Sequence, residues 1–306
     1  MNSTTSQTTL STAAMTTKNS SVTASKEYHT SLLTIYSVVL LCGTVSLSLM
    51  MHILKSSTVS TTSIAVFNLM FAHFIFLLTV PFRIYYYANQ TWNLSYEWCK
   101  MVSAMIHIHM YMSYVLYVIV LVSRLLTFYN RARQVASIQR MHALIGSVLV
   151  WIIVLVTTTL VIHNHYGNNK NGTDHQNITT QNICFKFGKN IKEFTAFNYI
   201  LSTLVIVVAL VLTALQANVL RVLYRKYHQT CTSQQEFVAQ VKSLFFALIM
   251  VVCFVPYHIF RIYYLTNVNL ENLNELFLSL TTFNCLDMLT FLGRRTCTRC
   301  FPGRAV

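Results

Sequence analysis

Long apolar runs separated by short polar stretches dominate the chain from residue 32 onward. A helix needs about 20 mostly apolar residues to cross roughly 30 Å of hydrocarbon. That pattern recurs at 32–54, 62–86, 98–129, 142–163, 194–225, 236–264 and 273–293. Lipid offers no hydrogen-bond partners to a bare backbone, so each run must be helical. The pattern predicts an all-α membrane protein, a bundle of seven transmembrane helices over 32–293. Asn284 and Asp287 interrupt the last run, and the third and fifth are long enough to tilt or to project past the bilayer. Residues 1–31 contain no such run and are about half Ser and Thr. They predict a disordered, N- and O-glycosylated tail without a cleavable signal peptide, exported by the first helix as a signal anchor. Residues 294–306 form a short tail at the other end. No internal repeat is visible, which argues against a transporter built from duplicated halves.

An odd number of spans places the two termini on opposite sides of the membrane. Asn-x-Ser/Thr acceptors begin at Asn2, Asn19, Asn89, Asn93, Asn171 and Asn177. All fall in the N-terminal tail, the second-to-third connection or the fourth-to-fifth connection, which makes that side extracellular. The other side carries Lys55, Arg131, Arg133, Arg140, Arg221, Arg225, Lys226, Lys242, Arg294, Arg295, Arg299 and Arg304, against one acid, Glu236. The positive-inside rule therefore agrees with the acceptors. The expected location is the plasma membrane, with the N-terminus outside and the C-terminus in the cytoplasm.

Composition narrows the classes further. The 306 residues are 54% hydrophobic and 10% charged, far from the roughly 25% charged of soluble domains. The 22 Lys and Arg exceed the 8 Asp and Glu to give +14, but they are scattered singly, and nucleic-acid binding would need a continuous basic face. Cys42, Cys253 and Cys285 read as small packing residues and Cys231 as a free thiol. Cys297 and Cys300, beside Arg294, Arg295 and Arg299, are candidates for palmitoylation that would hold a short helix on anionic lipid.

Catalytic machinery is not visible. His-x-Glu-x-x-His and Gly-x-Ser-x-Gly are absent, and residues 273–293 hold no Lys for a retinal Schiff base. His107-Ile-His109 sets its two rings on nearly opposite helix faces, so no metal site is expected from that pair, and no cofactor. Buried ionisable groups in a bilayer cost roughly 2.5–3.5 kcal/mol each and are usually functional. Asp287 is the one carboxylate that the pattern buries at depth. With His73 it leaves proton or ion transport open, although no polar trail accompanies it.

Specific residues carry a family resemblance over nearly the whole chain. They are Asn68-Leu-Met-Phe-Ala-His73, Leu77-Leu-Thr-Val-Pro81-Phe82, Trp92, Cys99-Lys100, Arg124, Trp151, Cys184, Cys253-Phe254-Val-Pro256-Tyr257-His258 and Cys285-Leu-Asp287. This set resembles the rhodopsin-like family of G-protein-coupled receptors, and the sixth segment, Cys-Phe-x-Pro-Tyr-His-x-x-Arg, looks like its purinergic and lipid-receptor branch. The resemblance implies a disulfide between Cys99 and Cys184, a partner for Asp287 in His73, and a heterotrimeric G protein and an extracellular ligand as partners beside the membrane lipids. Pro256 removes a backbone hydrogen bond in mid-membrane, so it either fixes a static kink or, with Phe254, makes a hinge that swings the cytoplasmic end of the sixth helix and opens a cleft at Arg124 rimmed by Arg221, Arg225 and Lys242.

At the outer end, Arg83, Tyr111, Tyr114, Tyr257, His258 and Arg261 make a cationic, aromatic-walled pocket suited to an anionic, partly apolar ligand. Glu97, Glu193, Glu271 and Glu275 could neutralise these cations as solvated rim pairs instead. The chain departs from the family at Leu47, His73, Ser123, Leu125, Met288 and Phe291. A His at position 73 cannot complete the acidic sodium site of related receptors, so insensitivity to sodium is expected. Ser123 in place of an acid beside Arg124 predicts signalling without ligand. The same departures keep a second reading open, an accessory or scavenging receptor that does not signal.

Overall fold

The computed structural model describes residues 5–54, 61–129, 136–166, 184–185, 195–226 and 231–291. They form α1 (Thr5–Leu54), α2 (Thr61–Asn89), α3 (Tyr96–Tyr129), α4 (Ala136–Tyr166), α5 (Thr195–Lys226) and α6 (Cys231–Thr266). A seventh segment follows a single 3-10 turn, Val268–Leu270, and comprises α7 (Glu271–Leu280) and a continuous 3-10 helix, Thr281–Phe291. The apolar runs of α1, α2, α3, α5 and α6 are each long enough to cross a membrane, and α4 contributes the shorter described run Ile145–Leu160.

The outward faces are those of a protein solvated by hydrocarbon. Val252 is 70% exposed and Ile200 69%, positions that water would penalise and lipid does not. The most enclosed element is α3, whose apolar run is 61% buried against 28% for α1 and α5. Met110, Met112, Tyr117 and Leu121 of α3 pack with Leu69 and Phe76 of α2, Ala209 of α5, and Met250 and Phe254 of α6, all without exposed surface. Gly43 permits α1 to approach closely: a Cβ there would meet Leu77 Cδ2 at 3.0 Å and Cys285 Cβ at 3.5 Å. Asn68 joins α2 to α4 by donating to Ser147 Oγ at 3.1 Å and accepting from Trp151 Nε1 at 3.1 Å.

Local chemistry sets the ends. Gln90, at φ 57°, closes α2 by donating its N–H to Tyr86 O at 2.7 Å, the left-handed termination common at helix C-termini. The buried Trp92 donates its indole N–H to Ser95 O at 3.1 Å and so fixes the entry into α3. The first helix starts at Thr5, where the sequence predicts a disordered tail to residue 31. Thr30, Ser31 and Thr34 donate to carbonyls four residues back, at 2.8–2.9 Å, so the Ser/Thr hydroxyls nearest the membrane run follow the helix rather than compete with it. Ser279, Thr281 and Thr282 instead bond three residues back, at 2.6–2.7 Å, where α7 gives way to the 3-10 helix. Pro81 and Pro256 lie inside α2 and α6 with exposed rings, and each removes one helical hydrogen bond on the lipid side.

Candidate functional site

Cys99, at the start of α3, is bonded to Cys184, with Cα atoms 5.8 Å apart. This bond marks one end of the bundle and delivers Phe185, held at φ 67°, onto Arg83. The Phe185 ring centroid lies 4.3 Å from the Arg83 guanidinium carbon, and Tyr36 of α1 lies 5.4 Å away on the same group. Arg83 is fully buried. Its Nη1 donates to Glu275 Oε1 at 2.7 Å and to Tyr36 OH at 3.1 Å, and its Nη2 donates to Val102 O at 3.3 Å. Tyr87 OH donates to the same Glu275 oxygen at 3.0 Å.

Glu275 is only 5% exposed, so it is no solvated rim acid, and Asp287 is not the one buried carboxylate. The cause is that α7 begins at Glu271, which carries position 275 one turn down into the bundle. A buried charge must be paired, and the pairing leaves Arg83 bound to α1, α3 and α7 rather than facing an open pocket.

The other predicted pocket residues lie on α3 and α6, with bonding partners on α5. Arg261 is half-buried, donates to Asn198 Oδ1 at 3.2 Å and sits 5.8 Å from the Tyr264 ring. His258 Nδ1 lies 3.2 Å from Ser202 Oγ, and its ring faces Tyr257 at 4.9 Å and Tyr111 at 6.4 Å. Tyr114 is turned away toward α5, donating to Val205 O at 3.1 Å, with its ring against Phe254 at 5.7 Å. Of Arg83, His258 and Arg261, only Arg261 keeps exposed surface.

Deeper in the bundle, His73 Nε2 lies 3.3 Å from Asp287 Oδ1 and 3.4 Å from Oδ2. Tyr117 OH donates to Asp287 Oδ2 at 2.5 Å, and its ring packs on Phe254 at 6.1 Å and Phe246 at 5.8 Å. Sequence reasoning missed Tyr117, because nothing near it marks a partner 170 residues away. Phe254 thus stands between Tyr114, which is bonded to α5, and Tyr117, which is bonded to the buried acid. Tyr117→Phe removes a hydrogen bond to a charged group and is expected to destabilise the fold by about 1.5–3 kcal/mol. The unfolding midpoint of the purified chain measures this, and an unchanged midpoint would mean that His73 alone holds Asp287.

At the end opposite the disulfide, Arg124 is half-buried and has no hydrogen bond or ion pair among the described residues. Ser123 donates to Ile119 O at 2.6 Å instead of meeting it. Gln216 Nε2 donates to Leu121 O at 3.1 Å and ties α5 to this part of α3. Arg221 and Arg225 are exposed on α5, and Lys242 is half-buried on α6. Of the predicted glycosylation acceptors, Asn89 and Asn93 are exposed. Asn2, Asn171, Asn177, Cys297 and Cys300 lie outside the described residues, and Asn19 outside the described side chains.

The sequence is similar to those of known proteins. Residues 46–290 match the family described as 7 transmembrane receptor (rhodopsin family). The chain is 37% identical to Probable G-protein coupled receptor 141 of Homo sapiens over 272 residues, 85% of this chain and 87% of the relative. It is 26% identical to Probable G-protein coupled receptor 34 of Mus musculus, over 87% of this chain and 74% of the relative. It is 24% identical to the N-arachidonyl glycine receptor of Macaca fascicularis, over 87% of this chain and 81% of the relative. With a seven-segment bundle matched along nearly its whole length, this chain belongs to the rhodopsin family of seven-transmembrane receptors.

Proposed function

We propose that the chain is a plasma-membrane receptor, N-terminus outside, that answers a ligand at its disulfide-bearing end. Movement of α6 about Phe254 and Pro256 then opens the far end, where Arg124 and the basic residues of α5 and α6 engage a heterotrimeric G protein. The observation that carries this reading is the Arg124 side chain, which meets no partner among the described residues while Ser123 bonds elsewhere. An Arg without a resting tether is already available to a partner, so the receptor signals without ligand.

The ligand side is supported by Arg261 beside Tyr111, Tyr257 and His258. One cation on an aromatic wall suits an anion with an apolar body. Arg83 is spent on Glu275 and serves architecture. The relative named for N-arachidonyl glycine is named for an acyl chain ending in a carboxylate, a ligand class of this kind. Leu125, Met288 and Phe291 favour the second reading, a receptor that binds and internalises its ligand without coupling.

The test is G-protein activation in cells, normalised to surface expression, for the native chain, Ser123→Asp and Arg124→Ala. An acid at position 123 adds a resting contact, and a contact of about 1.4 kcal/mol lowers the active-to-inactive ratio roughly tenfold. Arg124→Ala is expected to be silent. A silent native chain on the cell surface would overturn signalling without ligand and favour the non-coupling reading. With N-acyl amino acids and lysophospholipids as probes, Arg261→Ala should lose the response while surface expression stays intact. An activating ligand that is cationic, or that acts equally on Arg261→Ala, would rule out the anionic pocket.

A further inference from the structure

Three buried side chains from three different elements converge beside Asp287. His73 of α2 and His109 of α3 bring Nδ1 and Nε2 to 2.9 Å of each other, and Cys285 Sγ of the 3-10 helix lies 3.6 Å from each. All three donor atoms fall within 4.8 Å of one another, and the residues are 1%, 2% and 2% exposed. We propose that this triad is a buried Zn2+ site, which bolts α2, α3 and the seventh segment together inside the membrane.

Donor type and geometry both point this way. Two imidazoles and a thiol make a nitrogen and sulfur donor set, which suits zinc and offers nothing to sodium, magnesium or calcium, ions that take oxygen. With Zn–N near 2.0–2.1 Å and Zn–S near 2.3 Å, tetrahedral ligands stand about 3.6 Å apart for nitrogen and sulfur and about 3.3 Å for two nitrogens. Both nitrogen-to-sulfur distances are 3.6 Å. The two rings need to part by only about 0.4 Å to reach the tetrahedral spacing.

The surroundings fit as well. Ligating histidines characteristically donate their other N–H to a carboxylate. His73 has this arrangement, with Nε2 3.3 Å from Asp287 Oδ1 while Nδ1 faces the triad. The Phe76 ring stacks on His109 at 4.2 Å and fixes its plane. His109 Nδ1 has no hydrogen-bond partner among the described residues, so it is free to carry the imidazole proton while Nε2 ligates. Binding releases the Cys285 thiol proton and leaves one N–H on each ring, at His73 Nε2 and at His109 Nδ1. The charges of Zn2+, the Cys285 thiolate and the Asp287 carboxylate then sum to zero, as a site enclosed by hydrocarbon requires.

The sequence alone hid the site, because its ligands stand 36 and 176 residues apart and His107 next door points elsewhere. Full-length chain, purified in detergent from zinc-supplemented cells, is the material for the test. Metal content is measured by mass spectrometry after size-exclusion chromatography, and the chelator-stripped chain is reloaded with Zn2+ or Co2+. The native chain is expected to retain one zinc more than Cys285→Ser or His109→Gln. Its cobalt form should show thiolate-to-metal charge-transfer absorption, and Asp287→Asn should weaken Zn2+ binding about 10–100-fold. Added Na+ should compete with none of this. Should the two ligand variants fail to fold, the cobalt spectrum of the native chain still decides. A monodisperse native chain with no thiolate band, or ligand variants that keep the full zinc content, would overturn the site.

Discussion

Glu275→Gln is expected to cost the folded chain about 3–5 kcal/mol, because it removes one partner of a buried pair and leaves Arg83 charged, fully buried and without a counter-ion. The amide can still accept one hydrogen bond from Arg83 Nη1, but it carries no charge to offset the guanidinium. The Tyr87 hydroxyl also loses a charged acceptor. The unfolding midpoint of the purified chain and its surface expression should fall together. The double variant Arg83→Met/Glu275→Leu keeps the volume and removes both charges, so it should recover most of the loss. A single variant within about 0.5 kcal/mol of native, the range of ordinary surface substitutions, would mean that water reaches the pair after all.

The second large effect belongs to the disulfide. Cys184→Ser is expected to destabilise the chain by about 2–5 kcal/mol, the usual loss for a native bridge. Chain entropy alone does not account for it here. The bridge spans a separation of 85 residues, yet most of them are helices that persist in detergent when tertiary contacts fail, so the open loop is already constrained. The larger share comes from Phe185, which the bond holds over Arg83 and against Tyr86 and Trp92, with centroids at 5.0 and 5.8 Å. A cycle pairing Cys184→Ser with Phe185→Ala should therefore be non-additive by about 0.5–3 kcal/mol. Strict additivity would assign the whole effect to the loop. Free thiols at Cys99 and Cys184 in the native protein would remove the premise.

Lipid makes helix limits legible. The runs at 98–129 and 194–225 became Tyr96–Tyr129 and Thr195–Lys226, because only an apolar helix satisfies its backbone in hydrocarbon. Asn68 and Trp151, singled out for their family resemblance, are joined by a hydrogen bond. Lateral partnerships were not legible. Nothing in the linear order says that Tyr117 reaches Asp287, that Tyr36 joins Arg83, or that Cys285 meets His109, since helix periodicity fixes a face but not the face opposite it. Phe185 had a signal, its position next to Cys184, but the direction it takes is set by its positive φ. Glu275 was misplaced for a related reason: the depth of an acid depends on where its helix begins, and the Val268–Leu270 turn sets that start.

The 3-10 helix Thr281–Phe291 gives the seventh segment an adjustable length. Eleven residues wound this way rise about 2.0 Å each, against 1.5 Å in an α-helix, so rewinding the whole stretch would draw in its far end by about 5 Å. The rotation per residue would fall from about 120° to about 100°. Cys285 and Asp287 are two residues apart, so the angle between their side chains would change by about 40°. Such a rewinding would act like a change of pitch in a screw thread. The coarse pitch presents the thiol to His109 and the carboxylate to His73 together, and a fine pitch would turn the two side chains apart and keep only one of those two alignments.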